Sequence, residues 1–203
     1  MVGISNKLQI TSSVVEGSEP EILNEILSPD CAVAIWQRRP STWFQNWIDV
    51  LPPQNLPNMR VILSPETVKG TLKISFDSIG MPGGVGRRML EGDIAALATM
   101  FARVMEVDMV QIRLDVVTGN ACRKFHLDNV KARMLCTYRG RGTQFGVFQP
   151  DNDPNPIEEL PVGYVGFFRG RMWTKADYPY IVHRSPPIDG TGETRLLLVI
   201  DTA

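Results

Sequence analysis

The sequence predicts an α+β fold in which helices from the first half of the chain cover a β-rich second half. Between Met89 and Met105, apolar residues recur at three- and four-residue steps, as on one face of a helix of about five turns. From Val110 to Val116, apolar and polar residues alternate instead, which is typical of a strand with one buried face. Short apolar segments separated by Gly, Asn, Asp and Pro follow. The second half is therefore predicted to form a sandwich or jelly roll.

Local signals place the elements of the first half. Ser18 and Glu21 resemble a capping box, which binds the free amide groups at a helix start, and they predict a short helix ending near Leu27. The segment CAVAIWQ that follows is predicted to be a buried strand. Ser41 is the predicted N-cap of the helix TWFQNWIDV, which two consecutive prolines end. The secondary structure of residues 57–80 is ambiguous from the sequence.

The second half carries the strands. Candidate strands are 109–117, 125–128, 132–138, 162–168, 179–183 and 194–201. We therefore divide a single domain, residues 1–203, into a loose lead-in (1–17), a mainly helical support (18–106) and a β core with the functional site (107–203). The Pro- and acid-rich stretch 150–161 is expected to be a surface loop, with closure over a pocket as the alternative.

Composition limits the classes of function. With 43% hydrophobic residues and four tryptophans, the chain can bury a substantial core. Its 21 basic and 22 acidic residues nearly cancel, which argues against a global attraction to nucleic acid or to an anionic membrane. The three cysteines form no CxxC motif, and no apolar run approaches membrane-spanning length. We expect a soluble, cytoplasmic protein without a membrane partner.

The two histidines of the chain suggest a metal site. His126 and Asp128 project from the same face of a predicted strand because residues i and i+2 do so, and together they offer an imidazole and a carboxylate. His183, in a later strand, offers a second imidazole. Two histidines and one carboxylate form the facial triad of non-haem iron(II) oxygenases, which leaves metal positions open. The alternative is that these histidines are structural.

Arg195 extends this pattern. It lies in the final apolar segment TRLLLVID, and arginine is almost never buried without a partner, while its planar guanidinium matches a carboxylate. The order HxD, distal His and following Arg is similar to that of iron(II)- and 2-oxoglutarate-dependent oxygenases. That resemblance implies a double-stranded β-helix (a cupin-like jelly roll), Fe(II) as the metal, and Arg195 as the anchor for the distal carboxylate of 2-oxoglutarate.

Longer segments resemble a bacterial family known as domain of unknown function 1826. The segments NACRKFHLDNVKARMLCTYRGRGTQ, VHRSPP and TRLLLVID carry the resemblance. Arg141 stands where that family leads us to expect proline, and Phe145 where it leads us to expect tryptophan. The family label implies no reaction, but its association with zinc-responsive gene sets makes Zn(II) an alternative metal, because the same ligand set can bind zinc.

Further residues are candidates for binding cosubstrate or substrate. Tyr138 could bind a cosubstrate carboxylate through its hydroxyl, or it could pack as an edge tyrosine. Residues 111–145 contain seven basic and two acidic side chains, an excess that would attract an anionic substrate. The alternative is a solvated face whose acidic partners lie elsewhere in the fold. Four residues are candidates for substrate binding: Arg113, Lys124, Arg139 and Trp173.

The pattern as a whole predicts an Fe(II)/2-oxoglutarate-dependent dioxygenase that hydroxylates a small molecule or a side chain. The alternative function is a non-catalytic, zinc-binding jelly roll in metal homeostasis. A cupin-like isomerase shares the scaffold but needs an acid/base group that the sequence does not identify. Aromatic residues such as Trp173 could stack on nucleic-acid bases, although no spacing indicates it. The sequence predicts neither the substrate nor the oligomeric state.

Overall fold

The computed structural model describes residues 13–173 and 180–203. Three α-helices occur in the described ranges: α1 (Thr42–Asp49), α2 (Val68–Ser78) and α3 (Val85–Met105). Short 3-10 helices span Pro20–Leu27, Pro53–Asn55 and Pro65–Thr67. The strands are β1 (Val14–Gly17), β2 (Val33–Trp36), β3 (Met59–Leu63), β4 (Val110–Val117), β5 (Ala132–Arg139), β6 (Gln144–Val147), β7 (Glu158–Glu159), β8 (Val165–Arg169), β9 (Ile181–Arg184) and β10 (Arg195–Thr202). No helix in the described ranges combines the length and the apolar character needed to cross a membrane.

Two sheets form the β core. The large sheet has the strand order β1-β2-β8-β5-β10-β4-β3, and the small sheet has the order β7-β6-β9. His126 adds a fourth position to the small sheet, because it forms an antiparallel bridge to His183 of β9. Both backbone hydrogen bonds of that bridge are 3.0 Å long. Neighbouring strands in both sheets are antiparallel except for β1 and β2.

The path of the chain defines a double-stranded β-helix. It runs from β4 in the large sheet to the His126 bridge in the small one, returns to β5, and crosses again to β6 and β7. It then passes through β8, β9 and β10, changing sheet at each step. In the large sheet, β4, β5, β8 and β10 are therefore separated from one another along the chain by segments of the small sheet. The predicted α+β fold with a jelly-roll, cupin-like core is confirmed.

The two faces of the large sheet bury different cores. In β10, Leu196 and Leu198 belong to the cluster that the helices cover, whereas Leu197 and Val199 belong to the cluster between the two sheets. This division follows from the period of two in a strand. The helix-side cluster includes four fully buried residues of α3: Leu90, Ile94, Leu97 and Phe101. The predicted role of this helix as a core-facing cover is confirmed.

Several local predictions are confirmed and one is wrong. The hydroxyl of Ser41 accepts a hydrogen bond from the backbone N–H of Phe44 (3.3 Å), as expected of an N-cap. The predicted capping box does not form, because the 3-10 helix begins after Glu19, and the Ser18 hydroxyl donates to that carboxylate instead of accepting from a backbone amide. The unassigned stretch 57–80 contains β3 and α2.

The first half of the chain supplies strands to the large sheet as well as helices. Residues 18–106 provide β2 and β3, and β1 comes from residues 14–17. Residues 14–17 of the predicted lead-in pair in parallel with β2, and residues 1–12 lie outside the described ranges. The predicted strand 125–128 is reduced to the single bridge at His126. Position 179 of another predicted strand also lies outside the described ranges.

Candidate metal centre

Three side chains from separate elements meet between the sheets. One ligand atom each from His126, Asp128 and His183 lies within 4.8 Å of the others. The Nε2 atom of His183 is 3.0 Å from Oδ2 of Asp128, and Nε2 of His126 is 3.5 Å from Oδ1. Ligand atoms bound about 2.1 Å from one metal ion are about 3 to 4 Å apart. The spacing of these atoms is therefore suitable for a single ion.

Neighbouring groups orient the two imidazoles. Nδ1 of His126 is 2.9 Å from the backbone carbonyl of Lys124, so this nitrogen donates to the carbonyl, and in the neutral ring Nε2 keeps its lone pair. The ring of His183 packs against that of Phe168, with the centroids 5.2 Å apart. The two imidazole centroids are 4.9 Å apart, because the backbone bridge places the residues directly opposite each other. Both rings therefore turn Nε2 toward Asp128.

Asp128 is held by a residue that the sequence analysis did not assign to the site. The guanidinium of Arg133, in β5, donates to Oδ1 of Asp128. Arg133 also forms a bidentate pair with Asp201 of β10, with two N–O distances of 2.7 Å. No bond of the described residues reaches the buried Oδ2 atom of Asp128 with hydrogen-bond geometry. This oxygen is available to a metal ion.

The charges at the site favour an ionised carboxylate. Burial alone would raise the pKa of Asp128, but the two adjacent imidazoles and the nearby positive charge of Arg133 hold it well below its usual range. The adjacent carboxylate of Asp128 raises the pKa of His126, and burial opposes this effect. A divalent cation would compete with the proton for the same imidazole nitrogen. The donor set of two imidazoles and one carboxylate fits Fe(II) or Zn(II).

Arg195 is fully buried and largely unpaired. Its Nε atom donates to the backbone carbonyl of Arg141 (2.6 Å), but NH1 and NH2 are buried and find no hydrogen-bond partner in the described ranges. Burial lowers the pKa of Arg195 to about 10, against the opposing effect of two nearby glutamates. Gly140 makes room for the side chain: its φ is +77°, and a Cβ there would lie 2.9 Å from Cγ of Arg195. Two buried donors without acceptors are suitable for binding an anion.

A cavity of about 180 Å³ is lined by the three ligand residues and by side chains of β10. Arg195 shares the inward face of β10 with Leu197 and Val199, and it pairs with Val117 of β4. These three neighbours line the cavity. Thr137 pairs with Leu197 on the same face, and its buried hydroxyl has no partner in the described ranges. Arg195 and Thr137 do not line the cavity, but their unused hydrogen-bond donors lie on the same face of the large sheet as its apolar wall.

Tyr138 lies away from this cavity. Its hydroxyl donates to Asp93 of α3 (2.6 Å), and its ring belongs to the core cluster on the helix side of the large sheet. Arg38 forms a bidentate ion pair with the same carboxylate. The predicted contact between Tyr138 and the cosubstrate therefore needs correction, because the side chain projects from the opposite face of β5.

A β-bulge explains the position of Arg139. In the pairing of β5 with β10 the register shifts, so that Thr137 lies opposite Leu197 but Arg139 lies opposite Leu196. Arg139 therefore turns to the helix side, where it donates to the carbonyl of Leu51 (2.6 Å) at the end of α1. Its predicted place at the substrate site is corrected accordingly.

The other proposed substrate residues differ in position. Arg113 lines the cavity and forms an ion pair with Asp115 (2.9 Å). Lys124 is exposed, and its carbonyl orients His126. Trp173 packs against the helix-side core and contacts the guanidinium of Arg169, 4.4 Å from the ring centroid, so it does not line the cavity. The substrate role of Arg113 and Lys124 stays a prediction.

The basic excess of residues 111–145 is reduced by partners from elsewhere in the fold. Arg133 pairs with two aspartates, and Arg141 pairs with Glu159 (3.6 Å). Arg139 binds helix carbonyls, which carry partial negative charge. Two of the seven basic side chains, Arg133 and Arg141, thus have acidic partners from outside this range, and the attraction of an anionic substrate stays a prediction.

Comparison with solved structures finds oxygenases at low sequence identity. One is the dioxygenase for auxin oxidation 1 from Arabidopsis thaliana in its binary complex with 2-oxoglutarate: identity 14%, coverage 93% of this chain and 91% of that chain, TM-score 0.45. A prolyl-4-hydroxylase from Pseudomonas putida is 11% identical, and the match covers 89% of this chain and 92% of that chain with a TM-score of 0.44. The dioxygenase for auxin oxidation in rice is 11% identical, and the match covers 93% of this chain and 82% of that chain with a TM-score of 0.45. The assignment of the fold rests on the strand order, not on these loose likenesses.

Comparison with sequences identifies the family. No curated protein matches the chain. A family model described as "Protein of unknown function (DUF1826)" matches residues 17–201, a range that contains all three ligand residues and Arg195. The match confirms the resemblance expected from the segments around His126 and His183. The chain therefore belongs to the family of proteins of unknown function DUF1826.

Proposed function

We propose that this protein is a non-haem iron(II), 2-oxoglutarate-dependent oxygenase. The observation that carries the proposal is the pairing, in one jelly-roll interior, of a His-Asp-His cluster with the buried, unpaired guanidinium of Arg195. A simple structural metal site explains the first feature but not the second. A buried charge without a partner is costly, so a guanidinium in this position is best explained by an anionic ligand.

Each part of the site has a chemical role in this proposal. His126, Asp128 and His183 would hold the metal and leave positions open for cosubstrate and O2. Bound Fe(II) would supply the redox chemistry that couples oxidative decarboxylation of 2-oxoglutarate to succinate and CO2 with insertion of one oxygen atom into a C–H bond.

The protein would orient the cosubstrate through its far end. Arg195 would bind the distal carboxylate through NH1 and NH2, and the hydroxyl of Thr137 would donate to the same group. Leu197 and Val199 would exclude water from the space between that carboxylate and the metal. The guanidinium would regain the hydrogen bonds that burial denies it, which makes the cosubstrate stabilise the protein as it binds.

The cavity also limits the substrate. Its volume of about 180 Å³ is below the roughly 300–1,000 Å³ of typical pockets for drug-sized ligands. After 2-oxoglutarate is bound, a large substrate would have to present its reacting group from the mouth of the cavity. A small metabolite or a protruding side chain satisfies this condition.

The proposal is tested by following succinate formation from 2-oxoglutarate in air, with and without added Fe(II). Wild-type protein should form succinate in an Fe(II)-dependent manner, slowly even without the prime substrate. Arg195→Met should raise the KM for 2-oxoglutarate by about 30-fold or more, because it removes a buried charge pair of at least about 2 kcal/mol. Arg139→Met is the matched control, since it removes an arginine on the other face of the same sheet. Absence of Fe(II)-dependent succinate in wild type, or an unchanged KM in Arg195→Met, would refute the proposal.

Zinc binding without catalysis is the second candidate function. The observation in its favour is that Cys122, an exposed thiol, lines the same cavity as the three ligand residues. A thiolate completes the tetrahedral sites that Zn(II) prefers. Metal analysis after expression in defined medium distinguishes the candidates: retained zinc, lost in Cys122→Ser, together with no turnover of 2-oxoglutarate, would favour this second function.

A further inference from the structure

We infer that Arg133, anchored by Asp201, is a positioning residue that restricts Asp128 to one ligating oxygen. The inference rests on the proposed metal centre and extends it to two residues of the neighbouring strands. Neither of them is a metal ligand. Their role is to decide how the carboxylate ligand presents itself to the ion.

The contacts around Arg133 are divided between two carboxylates. Its Nε and NH2 atoms donate to the two oxygens of Asp201, both at 2.7 Å, while NH1 donates to Oδ1 of Asp128. The side chains are 13%, 4% and 9% exposed for Arg133, Asp201 and Asp128. The fork of the guanidinium is thus fixed by the bidentate pair, and its third nitrogen is aimed at the ligand.

This arrangement makes the two oxygens of Asp128 unequal. Oδ1 is engaged by Arg133, whereas Oδ2 lies 3.0 Å from Nε2 of His183 and has no bond of hydrogen-bond geometry within the described ranges. A carboxylate with two free oxygens can bind a metal through both. With Oδ1 engaged, Asp128 would bind through Oδ2 alone, so one more coordination position stays open for exogenous ligands.

Asp201 also sets the local charge. An arginine beside a metal ligand would repel a divalent cation if its charge were not offset. The bidentate pair with Asp201 provides that offset, so Arg133 can hold Asp128 without weakening the electrostatic attraction of the site for the ion. The position of Asp201, facing Arg133 across the β5–β10 pairing, follows from the strand register.

The test uses Co(II) as a spectroscopic probe of the wild-type protein and of Arg133→Met and Asp201→Asn. Loss of a partner behind a metal ligand lowers metal affinity about 10- to 100-fold in known sites. We expect a loss in this range for Arg133→Met. We also expect weaker visible d–d absorption per bound Co(II), because Asp128 becomes free to bind through both oxygens and the coordination number rises. Asp201→Asn should show a smaller loss of affinity, since Arg133 remains but its charge is no longer offset.

Controls separate positioning from folding. Arg139→Met is the matched control, because Arg139 lies in the same strand as Arg133 but donates to the carbonyl of Leu51 on the helix side of the sheet; its Co(II) affinity and spectrum should equal those of wild type. The melting temperature of each metal-free variant reports on folding, and if Arg133→Met does not fold, Asp201→Asn carries the test. If both variants bound Co(II) with the affinity and spectrum of wild type, the positioning role of Arg133 would be overturned, while the metal centre would stand. Absence of Co(II) binding by wild type would instead overturn the metal centre itself.

Discussion

Replacing Arg195 with methionine is predicted to stabilise the metal-free protein. A substitution that removes volume or charge from a protein core usually destabilises the folded protein. Arg195 is an exception because it is 0% exposed and two of its three guanidinium nitrogens have no partner in the described ranges. Methionine has a similar length, no charge and a flexible side chain that fills irregular space.

The magnitude follows from the hydrogen bonds at this position. Each buried, unsatisfied donor costs about 1–3 kcal/mol, so relieving NH1 and NH2 gains about 2–6 kcal/mol. The variant loses the bond from Nε to the carbonyl of Arg141, a charged hydrogen bond that contributes about 1.5–3 kcal/mol. The net gain is about 2 kcal/mol, which corresponds to a rise of about 4–8 °C in melting temperature for a chain of this size. The pKa of Arg195, lowered to about 10, agrees with this predicted gain in stability, because it shows that the folded state disfavours the charged guanidinium.

The assay compares thermal unfolding of wild type and Arg195→Met in chelator, and then with metal and saturating 2-oxoglutarate. We expect the variant to be more stable in chelator. Addition of both ligands should raise the melting temperature of wild type well above that of the variant, since only wild type can pair its guanidinium with the distal carboxylate. A lower melting temperature of the metal-free variant would refute the reasoning, as it would mean that Arg195 already has a stabilising partner in the folded protein.

Two further predictions concern the site and the core. Metal affinity should fall as the pH is lowered through the raised pKa of His126, because the proton and the ion compete for Nε2. Co(II) titrations from about pH 8 to pH 6 should show this fall. An affinity independent of pH would contradict the prediction. Phe101→Ala should lower the free energy of unfolding by about 3–5 kcal/mol, because Phe101 is fully buried and its ring centroid lies 5.1 Å from that of Phe167. Chemical denaturation measures this loss, and a change below about 1 kcal/mol would contradict the described packing.

The long periodic elements were predictable from sequence because one face of each is buried. The helical pattern from Met89 to Met105 and the alternation from Val110 to Val116 correspond to α3 and β4. In contrast, β6 and β7 are four and two residues long, and β7 consists of two exposed glutamates. Segments this short carry no periodic signal, and only pairing with their neighbours defines them as strands.

The residues of the site were predictable to different degrees. The i, i+2 spacing of a predicted strand singled out His126 and Asp128, although only His126 pairs as a strand residue in the structure. The long-range bridge between the two histidines has no local signature. Side-chain direction in β5 could not be predicted, since its segment MLCTY is apolar on both faces and a bulge changes the alternation near Tyr138.

Arg133 and Asp201 could have been found by the reasoning that singled out Arg195. Each is a charged residue in an otherwise apolar strand segment, and a charge in such a place needs a partner. Opposite charges on two predicted strands of one sheet indicate a pair. The sequence could not show that this pair also reaches Asp128, because that contact depends on the register of β5 against β10.

The most direct measurement is an anaerobic titration of the metal-free protein with Fe(II) followed by 2-oxoglutarate, monitored in the visible range. Chelation of iron by the keto acid gives a weak charge-transfer band, and we predict this band in wild type, with saturation at one Fe(II) per chain. It should be absent in Asp128→Ala and should require far more 2-oxoglutarate in Arg195→Met. No band in wild type, or an unaltered band in Asp128→Ala, would contradict the assignment of these residues to an oxygenase site.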